Sequence, residues 1–176
     1  MSVHLRRLRL QNQLTLDQLA QAAGLTRSYL SKVERGLSSP SITVALQLAQ
    51  VLGVTVEQLF QPDAPAAGVL VITRAADALA PPAGARLVSG ALAGGRMSVF
   101  VQQPQFGLLN HPAGRHDGEE LVYVLSGSVE LRMAQACERL DAGDCAHFDS
   151  SVPHRIRSIG ETPARILVVI APFAEG

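Results

Sequence analysis

Long apolar runs are missing from this chain of 176 residues: none approaches the roughly 20 residues that a transmembrane helix needs. Cysteine is scarce. Cys137 and Cys145 are too few for a disulfide framework and read as small apolar residues. The N-terminal stretch spaces Arg6, Arg7 and Arg9 with leucines and has neither the unbroken apolar core nor the small-residue cleavage site of a secretory leader, so a cytoplasmic location is expected. Aromatic residues make up only 4%, and net charge is absent, with 15 basic residues against 15 acidic ones. What is present is 47% apolar residues against 17% charged, the balance of a folded globular protein and not of a disordered one. The length allows one compact domain or two small ones.

The zero net charge conceals a division. Residues 1 to 60 carry six basic residues (Arg6, Arg7, Arg9, Arg27, Lys32, Arg35) and three acidic ones (Asp17, Glu34, Glu57), or +3; the remainder carries nine against twelve, or −3. The pattern changes at the same place, from leucine and alanine at helical spacing to short β-rich runs broken by glycine and proline. The intervening stretch, with Pro62 and Pro65 among small and polar residues, reads as a linker. The expected organisation is therefore α+β in two domains: an all-helical unit over 1 to 60, a linker over 61 to 68, and an all-β unit over 69 to 176.

Five short helices are expected in the first unit, the first over residues 3 to 12 with Leu5 and Leu8 inward. Thr15, followed by Gln18 at the third position, has the form of a capping box, and Gly24 ends the helix it opens. Thr26 caps the next, which runs to about Glu34 and stops near Gly36. Helix, glycine turn, helix is the helix-turn-helix arrangement. Leu30 and Val33 face inward with Leu25, which leaves Arg27, Ser28, Ser31, Lys32 and Arg35 on the outer face. Such a helix suits the major groove, where Arg and Lys donate to guanine and Ser reads either edge. Thr15, Thr26, Tyr29 and Arg35 are assigned to the phosphates.

Residues 4 to 60, above all the run Leu14 to Ala20, the run Gly24 to Gly36, Pro40-Ser41 and Leu52-Gly53-Val54, resemble the lambda-repressor-like helix-turn-helix of the xenobiotic-response-element type. That resemblance implies sequence-specific binding of double-stranded DNA, a homodimer, and recognition positions on Arg27, Ser28 and Lys32.

In the second unit eight short strands are expected, at Val69 to Thr73, Arg86 to Ser89, Met97 to Val101, Leu121 to Leu125, Val129 to Met133, Ala146 to Phe148, Arg155 to Ile159 and Arg165 to Ile170. They imply an antiparallel sandwich or barrel, with an interior able to hold one small ligand. Two stretches carry site chemistry, His111 to Gly127 and Asp141 to His154. Two imidazoles and a carboxylate from such neighbouring segments make a ligand set for a divalent metal with open positions.

Both stretches resemble the two motifs of the cupin family, a double-stranded β-helix barrel. The resemblance assigns His116, Glu120 and Gly127 to the first motif and His154 to the second, with Gly114 standing at the first histidine position and Ser158 at the terminal asparagine position. Three of the four usual ligands of Zn, Fe, Ni or Mn are present. His111 and His147 are the candidate substitutes for the fourth. Two chemistries stay open for this set: a metal centre, or a pocket in which His111, His116, Glu120, His147 and His154 hydrogen-bond an organic ligand. Together the two resemblances imply a bacterial transcriptional regulator whose cupin domain senses a small-molecule effector or a metal; the alternative is a metal-dependent oxygenase or isomerase tethered to a DNA reader.

Overall fold

A computed structural model describes residues 2–38, 40–60, 68–74, 85–92, 94–107 and 113–173. These residues divide into two compact units, one built on the helices together with 68–72, 90–92 and 94–95, the other built on the strands. The linker residues 61–67 and His111 lie outside the described residues.

The helical unit runs α1 (Ser2–Gln11), α2 (Leu16–Ala22), α3 (Arg27–Glu34), α4 (Ile42–Leu52) and α5 (Val56–Phe60). Its starts are set by hydroxyls. Thr15 accepts from the Gln18 N–H at 3.1 Å while the Gln18 side chain accepts from the Thr15 N–H at 2.8 Å, and Thr55 and Gln58 repeat the box at 3.1 and 2.9 Å. Thr26 and Ser41 cap α3 and α4. Leu5, Leu19, Leu30, Val33, Leu48 and Leu59 form the core, each at most 1% exposed. Leu8 is only half-buried, because the inward stripe of α1 runs through Leu5 and Arg9, four residues apart.

The β unit contains β1 (Ala85–Leu87), β2 (Ser98–Gln102), β3 (Glu119–Ser126), β4 (Ser128–Met133), β5 (Ala136–Asp141), β6 (Cys145–Asp149), β7 (His154–Ile159) and β8 (Arg165–Ala171). They form a five-stranded sheet in the order β1-β2-β8-β3-β6 and a three-stranded sheet in the order β5-β4-β7, antiparallel throughout. Phe100, Val122, Val124, Val129, Leu131, Ile166, Val168 and Ile170 fill the core. Two strand expectations are corrected. Val69 to Thr73 forms no strand: Val69, Leu70 and Ile72 are 101%, 69% and 59% exposed, and β propensity without a pairing partner makes no ladder. In its place β5, absent from the expectation, pairs with β4 through the turn at Ala134 and Gln135. As an edge strand with only Leu140 half-buried it has no alternation to detect.

Candidate functional site

The turn from Ala23 to Thr26 presents α3 with Leu30 and Val33 buried and Arg27, Ser28, Lys32 and Arg35 exposed, while Tyr29 and Ser31 are half-buried. Arg27 lies 3.5 Å from Asp17 of α2, both largely exposed. The Arg35 Nε donates to the Ser31 carbonyl at 3.2 Å. Burial pushes the Tyr29 hydroxyl above its ordinary value, a hydrogen bond with Ser38 opposing it. Beneath this face is a pair that the sequence reading missed: Arg9 of α1 donates from Nε and Nη2 to the Glu34 carboxylate at 2.6 and 3.1 Å, and from Nη1 to the Leu14 carbonyl at 2.9 Å. The signal was Arg9 standing four residues after the buried Leu5.

The second constellation is built by a short loop and two strands. Gly114 exchanges two backbone hydrogen bonds with His154 at 3.0 Å each, and the His116 N–H donates to the Ser150 carbonyl, also at 3.0 Å. The Ser150 hydroxyl donates to the Gly118 carbonyl at 2.7 Å. These staples hold the His116 loop against the start of β7. Gly118 has φ +110, and a Cβ there would lie 2.2 Å from the Ala171 carbonyl oxygen, so only glycine lets the chain turn into β3 at this point. Strand alternation then sends Glu120 inward beside Val122 and Val124.

His116, Glu120 and His154 consequently meet at one buried point. Glu120 Oε2 is 2.9 Å from His116 Nε2 and 3.4 Å from His154 Nε2, and the three side chains are only 5% to 8% exposed. The two imidazoles stand edge to face with centroids 5.7 Å apart. Burial raises the Glu120 carboxyl, but hydrogen bonds from both histidines and their charge outweigh it and hold the carboxyl below its ordinary value. Burial likewise lowers His154, but its hydrogen bond to Glu120, the charge there and the Val152 carbonyl hold it above its ordinary value.

The donors fit a small cation. Two imidazole nitrogens and a carboxylate oxygen lie within 4.8 Å of one another, a buried set with a negative charge when both rings are neutral, which requires protons or a divalent ion as its complement. His154 Nδ1 is 3.0 Å from the Val152 carbonyl, which can only accept; Nδ1 therefore carries a proton and Nε2 faces the cluster. His116 Nδ1 is buried without a hydrogen-bond partner.

His147 does not join them. It pairs in register with Leu121, which puts it on the opposite face of the sheet from Glu120, where it is 58% exposed and 2.8 Å from Glu119. Arg155 and Arg157 also turn away, as alternation from His154 requires: Arg157 donates to Glu130 at 3.0 and 2.8 Å. Ser158, at the asparagine position, spends its buried hydroxyl on the Pro104 carbonyl and the Ala164 N–H.

Both constellations lie in stretches that match known protein families. Residues 5–59 match the helix-turn-helix family and residues 105–170 the cupin domain family. The chain is 38% identical over 56 residues to the uncharacterized HTH-type transcriptional regulator y4dJ of Sinorhizobium fredii (strain NBRC 101917 / NGR234), covering 32% of this chain and 73% of that protein. The chain belongs to the helix-turn-helix transcriptional regulators, and its β unit is a cupin. This regulator is also 25% identical over 170 residues to the HTH-type transcriptional regulator PuuR of Escherichia coli (strain K12), across 94% of this chain and 91% of that one. An HTH_3 family transcriptional regulator from Vibrio cholerae shares the fold with a TM-score of 0.66 at 21% identity, over 98% and 95% of the two chains. Fe(II)-HppE with an alternative substrate shares it at 0.51 and 17%, over 96% and 95%, a likeness of fold alone. The regulator binds DNA through its helix-turn-helix, and no helix among the described residues is long and apolar enough to cross a membrane.

Proposed function

We propose that the regulator works as a cytoplasmic homodimer, nucleoid-associated when bound, that reads a palindromic operator and answers to a small molecule or a divalent metal held in its cupin barrel. Residues 1 to 60 act as the reader, 61 to 68 as the linker and 69 to 176 as the sensor. Arg27, Ser28, Ser31 and Lys32 read base edges in the major groove. Thr15, Thr26, Tyr29 and Arg35 hold phosphates: each threonine hydroxyl accepts a cap N–H and keeps its own proton to donate. Two-fold symmetry sets the half-sites about 34 Å apart, one helical turn.

The observation that carries the sensing role is the buried meeting of His116, Glu120 and His154. Zn, Fe, Ni or Mn would take these three as ligands and supply a Lewis-acidic centre with coordination positions left for an effector. His154 presents Nε2 because Val152 holds its Nδ1 proton, and Glu120 supplies the negative charge. An effector changes DNA binding only by favouring one arrangement of the dimer over another. To test this, an operator is selected from random duplexes and its affinity measured by fluorescence anisotropy for chelator-treated and metal-reloaded protein, beside Glu120→Gln. Metal should shift operator affinity in the wild type and not in the variant. Mass spectrometry finding no bound metal after reloading, in wild type as in His154→Ala, would remove the metal and leave an organic effector.

The same donor set favours one second reading. Two histidines and one carboxylate are the facial set of non-haem Fe(II) oxygenases, and a barrel enzyme would use it for catalysis. Oxygen uptake by Fe(II)-loaded protein, lost in Glu120→Gln, would establish that reading in place of a non-catalytic sensor.

A further inference from the structure

Strand β8 is apolar on both sides. Ile166, Val168 and Ile170 point into the barrel and are at most 4% exposed, while Leu167 and Val169, which alternate with them, stay half-buried on the outer face. A strand with one face in water alternates apolar with polar residues; one apolar at every position belongs to a sheet covered on both faces. The register carries this outer strip across the five-stranded sheet. Val99, Val169 and Leu121 form one row, ending at His147, and Val101, Leu167 and Tyr123 the next, which runs from Arg86 of β1 to Cys145 of β6. Tyr123 is 39% exposed. The strip is bounded by opposite charges: Arg165 marks the end where β8 begins, and Glu119, 2.8 Å from His147 and with Asp149 opposite it on β6, marks the other. The outer face of the three-stranded sheet has no such strip. There Arg132 and Arg157 pair with Glu130, and Arg139 with Asp141.

We propose that the outer face of the five-stranded sheet is where a second copy of this chain docks, about a two-fold axis that lies between the two sheets and runs across their strands. Such an axis lays the strip on its own copy with the strand direction reversed. The apolar rows then pack against apolar rows, as in a sheet sandwich, and the Arg165 end of each copy meets the Glu119 end of the other, twice over. An axis along the strands would instead set Arg165 against Arg165, which like-charge repulsion disfavours. Glu119 and Leu121 of this face flank Glu120, so the docking face and the buried His116, Glu120 and His154 cluster share strand β3. The inference rests on the dimeric reading above and adds to it the surface.

The test is sedimentation equilibrium of the full chain. Wild type should weigh twice the chain's 18.6 kDa. Leu167→Glu should run as a monomer with its far-ultraviolet circular dichroism retained. Arg165→Glu and Glu119→Arg should each weaken the dimer about tenfold or more, and the double variant should recover most of that loss, since each residue meets the other's charge across the two-fold. This recovery decides the matter even if Leu167→Glu fails to fold. Thiol labelling supplies a second readout: Cys145, on the strip, should react faster in Leu167→Glu than in wild type, while Cys137, on the other sheet, should not change. A wild-type monomer would overturn both this surface and the dimeric reading. A wild-type dimer indifferent to all these changes would overturn the surface alone.

Discussion

Arg9 and Glu34 join the first and third helices through hydrogen bonds of 2.6 and 3.1 Å, with only 10% and 8% of the two side chains exposed. Glu34 is the last residue of α3, so the pair ties the end of that helix to α1. Removing one partner leaves the other part-buried without its charge-assisted hydrogen bonds, which costs about 1–3 kcal/mol. Arg9→Ala should therefore lower the urea midpoint of the helical signal sharply, whereas the double change Arg9→Met with Glu34→Leu, apolar and similar in volume, should restore most of it. Equal losses in the single and double variants would deny the pair its coupling.

The exposed cations of α3 should separate into two kinds in DNA titrations. Arg27→Ala, at a position we assign to base reading, should lower the preference for operator over random duplex by roughly 1–3 kcal/mol at each half-site with little change in salt dependence. Arg35→Ala, at a position we assign to phosphate, removes one contact from each protomer and should weaken both duplexes alike, reducing the slope of log affinity against log salt by about 1.8, about 0.9 for each contact. A variant of Arg27 that kept full discrimination would remove it from base reading.

The unequal legibility of the two units has physical causes. Helix starts at Thr15 and Thr26 were readable because capping is a local matter of one side chain and the next N–H groups. Glu120 and His154 could be paired from the sequence only through the cupin motif, since 34 residues separate them and they stand on strands of different sheets, which no local spacing brings together. His147 went astray for the same reason: its spacing from His154 gives no strand phase, and the bend at Ser150 and Ser151 breaks the alternation between them. Val69 to Thr73 has the composition of a strand, but a strand needs a neighbour and composition does not supply one.

Metal-free protein should show a pH dependence set by the cluster. Glu120 titrates below its ordinary 4.5 in the folded chain, so its stabilisation is present above that value and is lost as acid passes down through the folded pKa. His154 titrates above its ordinary 6.5, so its contribution is complete below that value and is lost as pH climbs through the raised pKa. The gap in melting temperature between wild type and Glu120→Gln, measured in chelator, should be widest between these two ordinary values and narrow on both sides. A gap constant with pH would mean that the three side chains do not share protons.

Gly127, the glycine of the first cupin motif, should tolerate no side chain. Its φ is +75, which costs a non-glycine residue about 1–2 kcal/mol, and a Cβ there would lie 2.9 Å from the Cα of Ala164 and 3.1 Å from its Cβ. Ala164 is fully buried and its N–H is held by the Ser158 hydroxyl, so the neighbour has nowhere to go. Overpacking of this kind adds about 1–3 kcal/mol to the backbone cost. Gly143, in the turn between β5 and β6, provides the control, since its φ is +98 but nothing lies within 4 Å of the position a Cβ would take. Gly143→Ala should therefore lose only the conformational part, and Gly127→Ala should melt the β unit at a clearly lower temperature. Equal losses at the two positions would mean that β3, β4 and the segment before β8 can separate to admit a methyl group, and that the glycine is kept for its backbone angle alone.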